Sequence, residues 1–414
     1  MEKIKRAEIN RFIIMLTIVD IVLFVTNFKG KFRSYNTTML ALTYRNGFTS
    51  RSLLGTIYHG INDILPVDMI DYDVALIFAE IVTGLFFVFI IYFSYRCLML
   101  CDSKHKRVVQ YLLLLLSIFI IPTFSYPYNF FRVDMFMVWV SMIAIIVLAK
   151  GKHDWLVIIL AAIGMMFHQG YVFMYFNVIL VAVFYKILSE EKNRKKNIIV
   201  FALTFVIGSA LFIWFELLSR ANGAEFFETV RGEAEALSYN GVYHSTLLYH
   251  EVLGIDLSAS EVNLAKANHL ETPIFVLLIL PYLVLTVKFF AKLIKRGNKA
   301  AEKIKYIAVA VGSFTLLPDF LLKVDYGRWM MSLFFYYAVI ILFLVLMKDK
   351  IACQLLDDFA LRVKKSPWYL LFLVAPIFFV PFMDVNIDQM MRYLGSRFGH
   401  YFVNNFDFSS LFGR

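Results

Sequence analysis

Two arginines in one short stretch carry the clearest chemical signal in the chain. Residues 44–55 read Tyr-Arg-Asn-Gly-Phe-Thr-Ser-Arg-Ser-Leu-Leu-Gly, so Arg45 and Arg51 flank an Asn-Gly pair. Asn-Gly followed by small hydroxyl residues predicts a turn that leads into an amphipathic helix. Backbone N–H groups, hydroxyls and two guanidinium groups together suit the oxygens of phosphate or pyrophosphate. The alternative is that both arginines extend their long side chains to lipid headgroups.

Two further arginines occur in short connections between apolar segments. Arg132 lies two residues before Asp134, and Asp325 lies three residues before Arg328. Ionisable residues at membrane depth are costly and usually face a bundle interior or a water-filled cavity. An Arg–Asp pair that ties two helix ends together explains each connection equally well. Four such arginines are harder to explain as four separate structural pairs.

Histidines supply the candidates for proton transfer. His168 lies where two apolar segments must join, and His250 lies beside Glu251 in the long acidic segment 217–272. An imidazole titrates near neutral pH, so either ring can orient a phosphate or accept a hydroxyl proton. The alternative for His168 is a buried histidine bonded to a backbone carbonyl group. The alternative for His250 is a charged residue in a solvated lid. His244 and His250 do not have the i, i+4 spacing of a metal pair, so we expect neither a metal nor a cofactor.

The composition places these residues in a membrane protein. The chain has 414 residues, of which 60% are hydrophobic and 17% charged, whereas soluble domains average about 45–50% and 25%. This excludes a soluble enzyme, a disordered chain and a fibrous protein. Because about 20 apolar residues cross a bilayer as a helix, we predict an all-α polytopic protein with about eleven transmembrane helices. The predicted spans are 12–28, 75–95, 108–124, 135–149, 155–168, 171–187, 198–216, 273–291, 306–322, 329–347 and 367–383.

The distribution of charge predicts the topology of a single transmembrane domain, 1–414. Six segments hold 27 of the 41 Lys and Arg residues, and with eleven spans all six fall on one side. These basic segments are the N-terminus, 96–107, 150–152, 186–196, 288–305 and 348–365. Basic loops stay in the cytoplasm, so the N-terminus is predicted inside and the C-terminus outside. The first external loop is then 29–74 and the large external loop 217–272. The net charge of +10 needs no nucleic acid to explain it.

With the external Arg and His residues located, the chain resembles bacterial polysaccharide polymerases of the O-antigen and capsule type (Wzy-like, including EpsG-like members). The resemblance rests on the hydropathy, the basic cytoplasmic loops and the large external loop. It also rests on Phe131-Arg132-Val133-Asp134, followed two spans later by Phe167-His168-Gln169-Gly170. It implies a GT-C-like bundle in the bacterial inner membrane that performs metal-independent, inverting glycosyl transfer.

The resemblance also implies a substrate and roles for the candidate residues. The substrate would be a glycan linked to undecaprenyl pyrophosphate, with Arg45, Arg51, Arg132 and Arg328 around the pyrophosphate. Asp134 and Asp325 would support these arginines. His168 and His250 would serve proton transfer or positioning. A chain-length regulator, a flippase and membrane lipids are the implied partners.

Other functions remain open from the sequence. A GT-C transferase with a lipid monophosphate donor would place a catalytic acid in the first external loop, where Asp63, Asp68, Asp71 and Asp73 lie. A flippase or transporter would show inverted repeats and broken helices at the midplane, whereas here the charges collect at one rim. An O-acetyltransferase would place key His and Arg residues on the cytoplasmic side as well. The donor that the protein accepts separates the first of these from the polymerase.

Overall fold

Helices form nearly all of the chain that the structure describes. The computed structural model describes residues 4–28, 33–65, 69–126, 129–218, 226–253, 272–318, 326–366 and 368. The helices that start before residue 200 are α1 (Arg6–Asn27), α2 (Ser34–Ala41), α3 (Ser52–Asn62), α4 (Tyr72–Leu100), α5 (Lys106–Ser125), α6 (Val133–Lys150), α7 (Leu156–Phe167), α8 (Tyr171–Met174), α9 (Phe176–Ser189) and α10 (Arg194–Ile213). The later helices are α11 (Phe227–Ala236), α12 (Ser245–Leu253), α13 (Thr272–Arg296), α14 (Ala300–Val311), α15 (Tyr326–Leu346) and α16 (Lys350–Lys365).

The predicted helical membrane class is confirmed. Within the described ranges there is no β-strand, and six helices are long and apolar enough to cross a membrane. Helices α7 and α9 are apolar but shorter. The first ten predicted spans each overlap a helix, although 171–187 is interrupted at Tyr175. The eleventh predicted span, 367–383, lies outside the described residues except for Trp368.

Local sequence sets where several helices begin and end. The carboxylate of Asp71 accepts hydrogen bonds from the N–H groups of Asp73 and Val74, which caps α4. Asp349 caps α16 in the same way, through the N–H of Ala352. Helix α6 ends at Lys150 and is followed by Gly151, whose φ of 69° is left-handed and suits glycine.

Three central helices form the core, and three others line its rim. Between 67% and 78% of the apolar window is buried in α5, α6 and α15, against 22% to 28% in α1, α4 and α10. The core is dense: Phe119 of α5 and Phe334 of α15 have ring centroids 4.4 Å apart. The rim helices expose rows of aliphatic side chains, such as Ile77, Ile81 and Leu85 of α4. An apolar surface of this kind suits lipid, because in water it would be strongly unfavourable.

Polar contacts link residues within or next to the six basic segments at one end of the bundle, which we call the basic end. Glu8 binds Lys106 at 2.7 Å, and Asp102 binds Lys348 at 3.0 Å. Asp154 binds Lys186 and Lys196 beside the 150–152 turn. The hydroxyl of Tyr185 donates to Asp349 at 2.7 Å, and Lys305 binds the same carboxylate at 3.1 Å. The alternation of charged loops in the sequence is therefore realised as a shared end.

Candidate functional site

The turn predicted around Arg45 and Arg51 is present. Residues Tyr44–Asn46 form a 3₁₀ turn, Gly47 has a φ of 128°, and Arg51 immediately precedes α3. Arg51 itself has a φ of 67°, a left-handed conformation that non-glycine residues rarely adopt and that costs conformational energy. The turn therefore holds Arg51 at the start of α3, at the end of the bundle opposite the basic end.

Arg51 contacts Glu251 in the long acidic segment, and Glu251 in turn contacts its neighbour His250. Its guanidinium lies 2.7 Å from Oε1 of Glu251, and Nδ1 of His250 lies 3.1 Å from the same oxygen. The Glu251 side chain is only 5% exposed. Since an ionised carboxylate accepts only, His250 donates through Nδ1–H, and its neutral ring keeps the lone pair on Nε2. The three residues form a guanidinium–carboxylate–imidazole cluster that can accept a proton at Nε2 of His250.

Asp134 joins the two other arginines. Its fully buried carboxylate lies 3.3 Å from Nε of Arg132 and 3.1 Å from Nε of Arg328. Phe131, next to Arg132, has a left-handed φ of 59°. The structure thus brings Arg132, Asp134 and Arg328 together, and the carboxylate ties the start of α6 to the start of α15. Asp325 lies outside the described residues.

His244 and Tyr35 connect the arginines of these two groups. The guanidinium of Arg132 lies over the Tyr35 ring at 5.7 Å, and the rings of Tyr35 and His244 meet edge to face at 5.3 Å. Burial lowers the pKa of His244, and the positive charges of Arg33, Arg51 and Arg132 lower it further. A neutral imidazole therefore lies within the field of three guanidinium groups, which favours an anion at this place.

Sequence reasoning missed part of this arrangement. His244 was considered only as a metal ligand, and Tyr35 was not singled out. Arg33 lies in the predicted first external loop, so a count of all external arginines would have included it. No local pattern signals Tyr35, because its contact with His244 joins residues 209 positions apart.

Arg45 belongs to a second group of charged residues. It pairs with Asp63 at the far end of α3, and both side chains are about half exposed. Burial and, to a smaller extent, the charge of Arg45 lower the pKa of the nearby His59. Burial raises the pKa of Glu233, and the charge of Arg45 opposes part of that rise. Helix α3 has 11 residues, so Asp63 lies about 16 Å along its axis from the start that carries Arg51. The four arginines expected around one anion therefore form two groups: Arg51, Arg132 and Arg328 belong to the first, and Arg45 belongs to the second.

His168 has a defined proton position. Its Nδ1 accepts a hydrogen bond of 2.8 Å from the N–H of Gly170, so the neutral ring carries its proton on Nε2. The next residue, Gln169, accepts a hydrogen bond from Ser50, the neighbour of Arg51. His168 is therefore placed close to the Arg51 turn as a hydrogen-bond donor, a role that suits positioning and not proton abstraction.

The described part of the long acidic segment is packed and not a solvated lid. Val230, Ala234, Leu247 and Leu248 are buried, and Ser238 exchanges a hydrogen bond of 2.7 Å with Thr37 of α2. The backbone N–H of His244 donates to Thr38. Helices α11 and α12 therefore form one polar layer with α2 and α3 at the end opposite the basic end.

Two of the four acids that the rival monophosphate transferase would use have structural partners, and Asp73 lies exposed in the first turn of α4. Asp63 pairs with Arg45, and Asp71 caps α4. Asp68 lies outside the described residues.

Comparison with protein-family models, with curated proteins and with solved structures finds no match to this chain. Its chemistry is therefore read from its own residues.

Proposed function

We propose that this protein is a membrane glycosyltransferase that polymerises oligosaccharide repeat units carried on undecaprenyl pyrophosphate. The observation that carries the proposal is the Arg51–Glu251–His250 cluster beside Arg132 and His244. It combines cations for a phosphate group with an oriented base for a hydroxyl. We place it in the bacterial inner membrane, with the N-terminus cytoplasmic, the C-terminus external and a GT-C-like arrangement of eleven spans.

The proposed reaction uses each group in one role. Nε2 of His250 accepts the proton of the attacking hydroxyl, and Glu251 stabilises the imidazolium that forms. The hydroxyl oxygen bonds to the anomeric carbon with inversion, while the bond from that carbon to the pyrophosphate oxygen breaks. Arg51 and Arg132 stabilise the charge that develops on the leaving pyrophosphate, and no metal is required for this. The Nε2–H of His168 orients the substrate.

The test replaces, one at a time, Arg51 at the start of α3 and Arg132, whose guanidinium lies over Tyr35 of the polar layer. We expect Arg51→Ala and Arg132→Ala to lower the rate of glycan extension about 10²–10³-fold, as loss of a transition-state donor does elsewhere. Cells would then carry single repeat units in place of long polymer. Arg231→Ala is the matched control, because Arg231 lies in the same layer but pairs with Glu228 and Glu235 at the surface. Thermal unfolding of the purified variants separates lost chemistry from lost folding.

The lipid-linked donor that the purified protein accepts distinguishes the polymerase from the rival functions. Purified protein in liposomes should extend a glycan from a pyrophosphate-linked donor and not from a lipid monophosphate sugar. Normal polymer length in Arg51→Ala and Arg132→Ala cells would overturn the assignment. Movement of intact lipid-linked oligosaccharide across the liposome, without a change in glycan length, would assign a flippase in its place.

A further inference from the structure

A cavity near the basic end is separate from the polar layer described above. It has a volume of about 320 Å³ and lies between α5, α13, α15 and α16. Its wall is mainly apolar, with Leu112 from α5, Leu283 from α13 and Leu333 from α15. The hydroxyl of Tyr282, also in the wall, is buried and has no hydrogen-bond partner among the described residues. Such a cavity suits a hydrocarbon chain, and the Tyr282 hydroxyl offers one hydrogen bond to a polar group of the same ligand.

The rim of this cavity at the basic end is positively charged. Lys288, Lys292 and Arg296 follow each other at four-residue intervals on α13, which places them on one helix face. Arg362 of α16 completes the group, and Asp358 is the one acid in the described lining. All four cationic side chains are exposed, and none of them forms an ion pair with a carboxylate in the described part of the chain. The rim therefore has an excess of positive charge available for an anion.

We infer that this cavity binds an anionic phospholipid, with an acyl chain among the leucines and the phosphate at the Lys288–Lys292–Arg296 face. Long basic side chains at a helix end reach the headgroup level while their stems cover apolar surface. An apolar occupant such as a further helix would satisfy the wall and leave the four cations without a counter-charge. A phospholipid satisfies both. The inference does not depend on the proposed function, whose residues lie at the opposite end.

Charge and shape are tested separately by native mass spectrometry of the full chain released from detergent. Wild type should retain phosphatidylglycerol at least tenfold more strongly than phosphatidylcholine. The triple variant Lys288→Gln, Lys292→Gln, Arg296→Gln should lose that preference. The control Lys295→Gln, Lys303→Gln, Lys350→Gln removes the same charge from exposed basic-end positions outside the cavity and should keep it.

A second variant tests the cavity without altering charge. Leu333→Trp fills part of the volume and should weaken binding of phosphatidylglycerol while the four cations remain. Equal binding of both lipids to wild type, or an unchanged preference in the triple variant, would overturn the inference. Stronger retention of undecaprenyl phosphate than of phosphatidylglycerol would also overturn it. So would the absence of lipid adducts on wild type, which would assign the cavity to another occupant such as residues 367–383.

Discussion

His168 and His250 differ in which ring nitrogen bears the proton, and this difference assigns their roles. A backbone N–H fixes Nδ1 of His168 as an acceptor, whereas Glu251 fixes Nδ1 of His250 as a donor. Only His250 then presents a lone pair at Nε2. Sequence alone singled out both histidines but could not rank them, because the ranking depends on neighbours that the fold supplies.

The two histidines should therefore respond differently to substitution. His250→Gln removes the proposed base and should lower the rate of glycan extension about 10²–10⁴-fold, the usual contribution of general base catalysis. His168→Gln, in which the amide can still donate, should mainly raise KM. Initial rates in liposomes over a range of donor concentrations separate kcat from KM. Equal losses of kcat in both variants would contradict the assignment.

His244 predicts a pH dependence of stability. Its pKa is lowered in the folded protein, so the unfolded chain takes up a proton first as the pH falls below about 6.5. Stability from this residue is present above that pH and is lost on acidification. His244→Asn keeps an acceptor for the N–H of Leu247 but does not titrate. We expect Tm to fall less between pH 7.5 and 5.5 in this variant than in wild type; an equal fall would show that His244 does not contribute.

At the level of single residues, the sequence located the cations but not their partners. Arg51, Arg132 and Arg328 stand out because they are charged and lie outside the basic segments. Glu251 lies 200 positions from Arg51, and Asp134 lies 194 from Arg328. Pairing over such separations depends on how helices pack, which hydropathy and charge do not encode.

Among the elements, α3 links the fold to the candidate site, since it begins directly after Arg51. It lies close to the chain after α2, where a Cβ on Gly55 would collide with the carbonyl oxygens of Leu40 and Leu42. Gly60, on the same helix, has open space at that position. Glycine at position 55 thus permits an approach that no other residue type allows.

The two glycines give a matched pair of variants. Gly55→Ala should displace α3 and lower both Tm and the rate of glycan extension. Gly60→Ala should leave the rate unchanged and raise stability by up to about 1 kcal/mol, because alanine is the better helix former. Thermal unfolding and the liposome assay measure the two effects. An unchanged rate in Gly55→Ala would mean that the position of α3 does not control the site.

Sequence patterns predicted the long helices far better than the short ones. Apolar runs such as 75–95 and 135–149 identify α4 and α6, because a spanning helix must be apolar over most of its length. Helices α11 and α12 have 10 and 9 residues and mixed composition. Short helices of this kind are held by packing against other elements, so their sequence alone gives a weak signal.

For the whole molecule, charge distribution predicted an arrangement that the contacts reproduce. Residues within or next to the six basic segments are linked at one end by Glu8, Asp102, Asp154 and Asp349. Loop charge records which end stays on one side of the membrane, so it is readable from sequence. Which helices occupy the centre cannot be read from the sequence, because α5, α6 and α15 resemble the rim helices in hydropathy but are far more buried.

Sidedness can be measured with one cysteine at each end. Lys192→Cys lies at the basic end and Tyr239→Cys in the opposite polar layer, and both positions are exposed. We expect a membrane-impermeant maleimide to label position 239 in spheroplasts and position 192 only after the membrane is opened. The native Cys97, Cys101 and Cys353 are buried, so their background should be low. The reverse pattern would invert the proposed orientation.

The contact between Asp134 and Arg328 sets an order for biosynthesis. Asp134 meets Arg132 within its own segment, but Arg328 is translated 194 residues later. A ribosome-bound chain that has inserted α6 must hold this carboxylate with one of its two guanidinium partners until α15 emerges. The Arg132–Asp134–Arg328 group is therefore completed only after α15 has been inserted, although the residues of the polar layer are translated earlier.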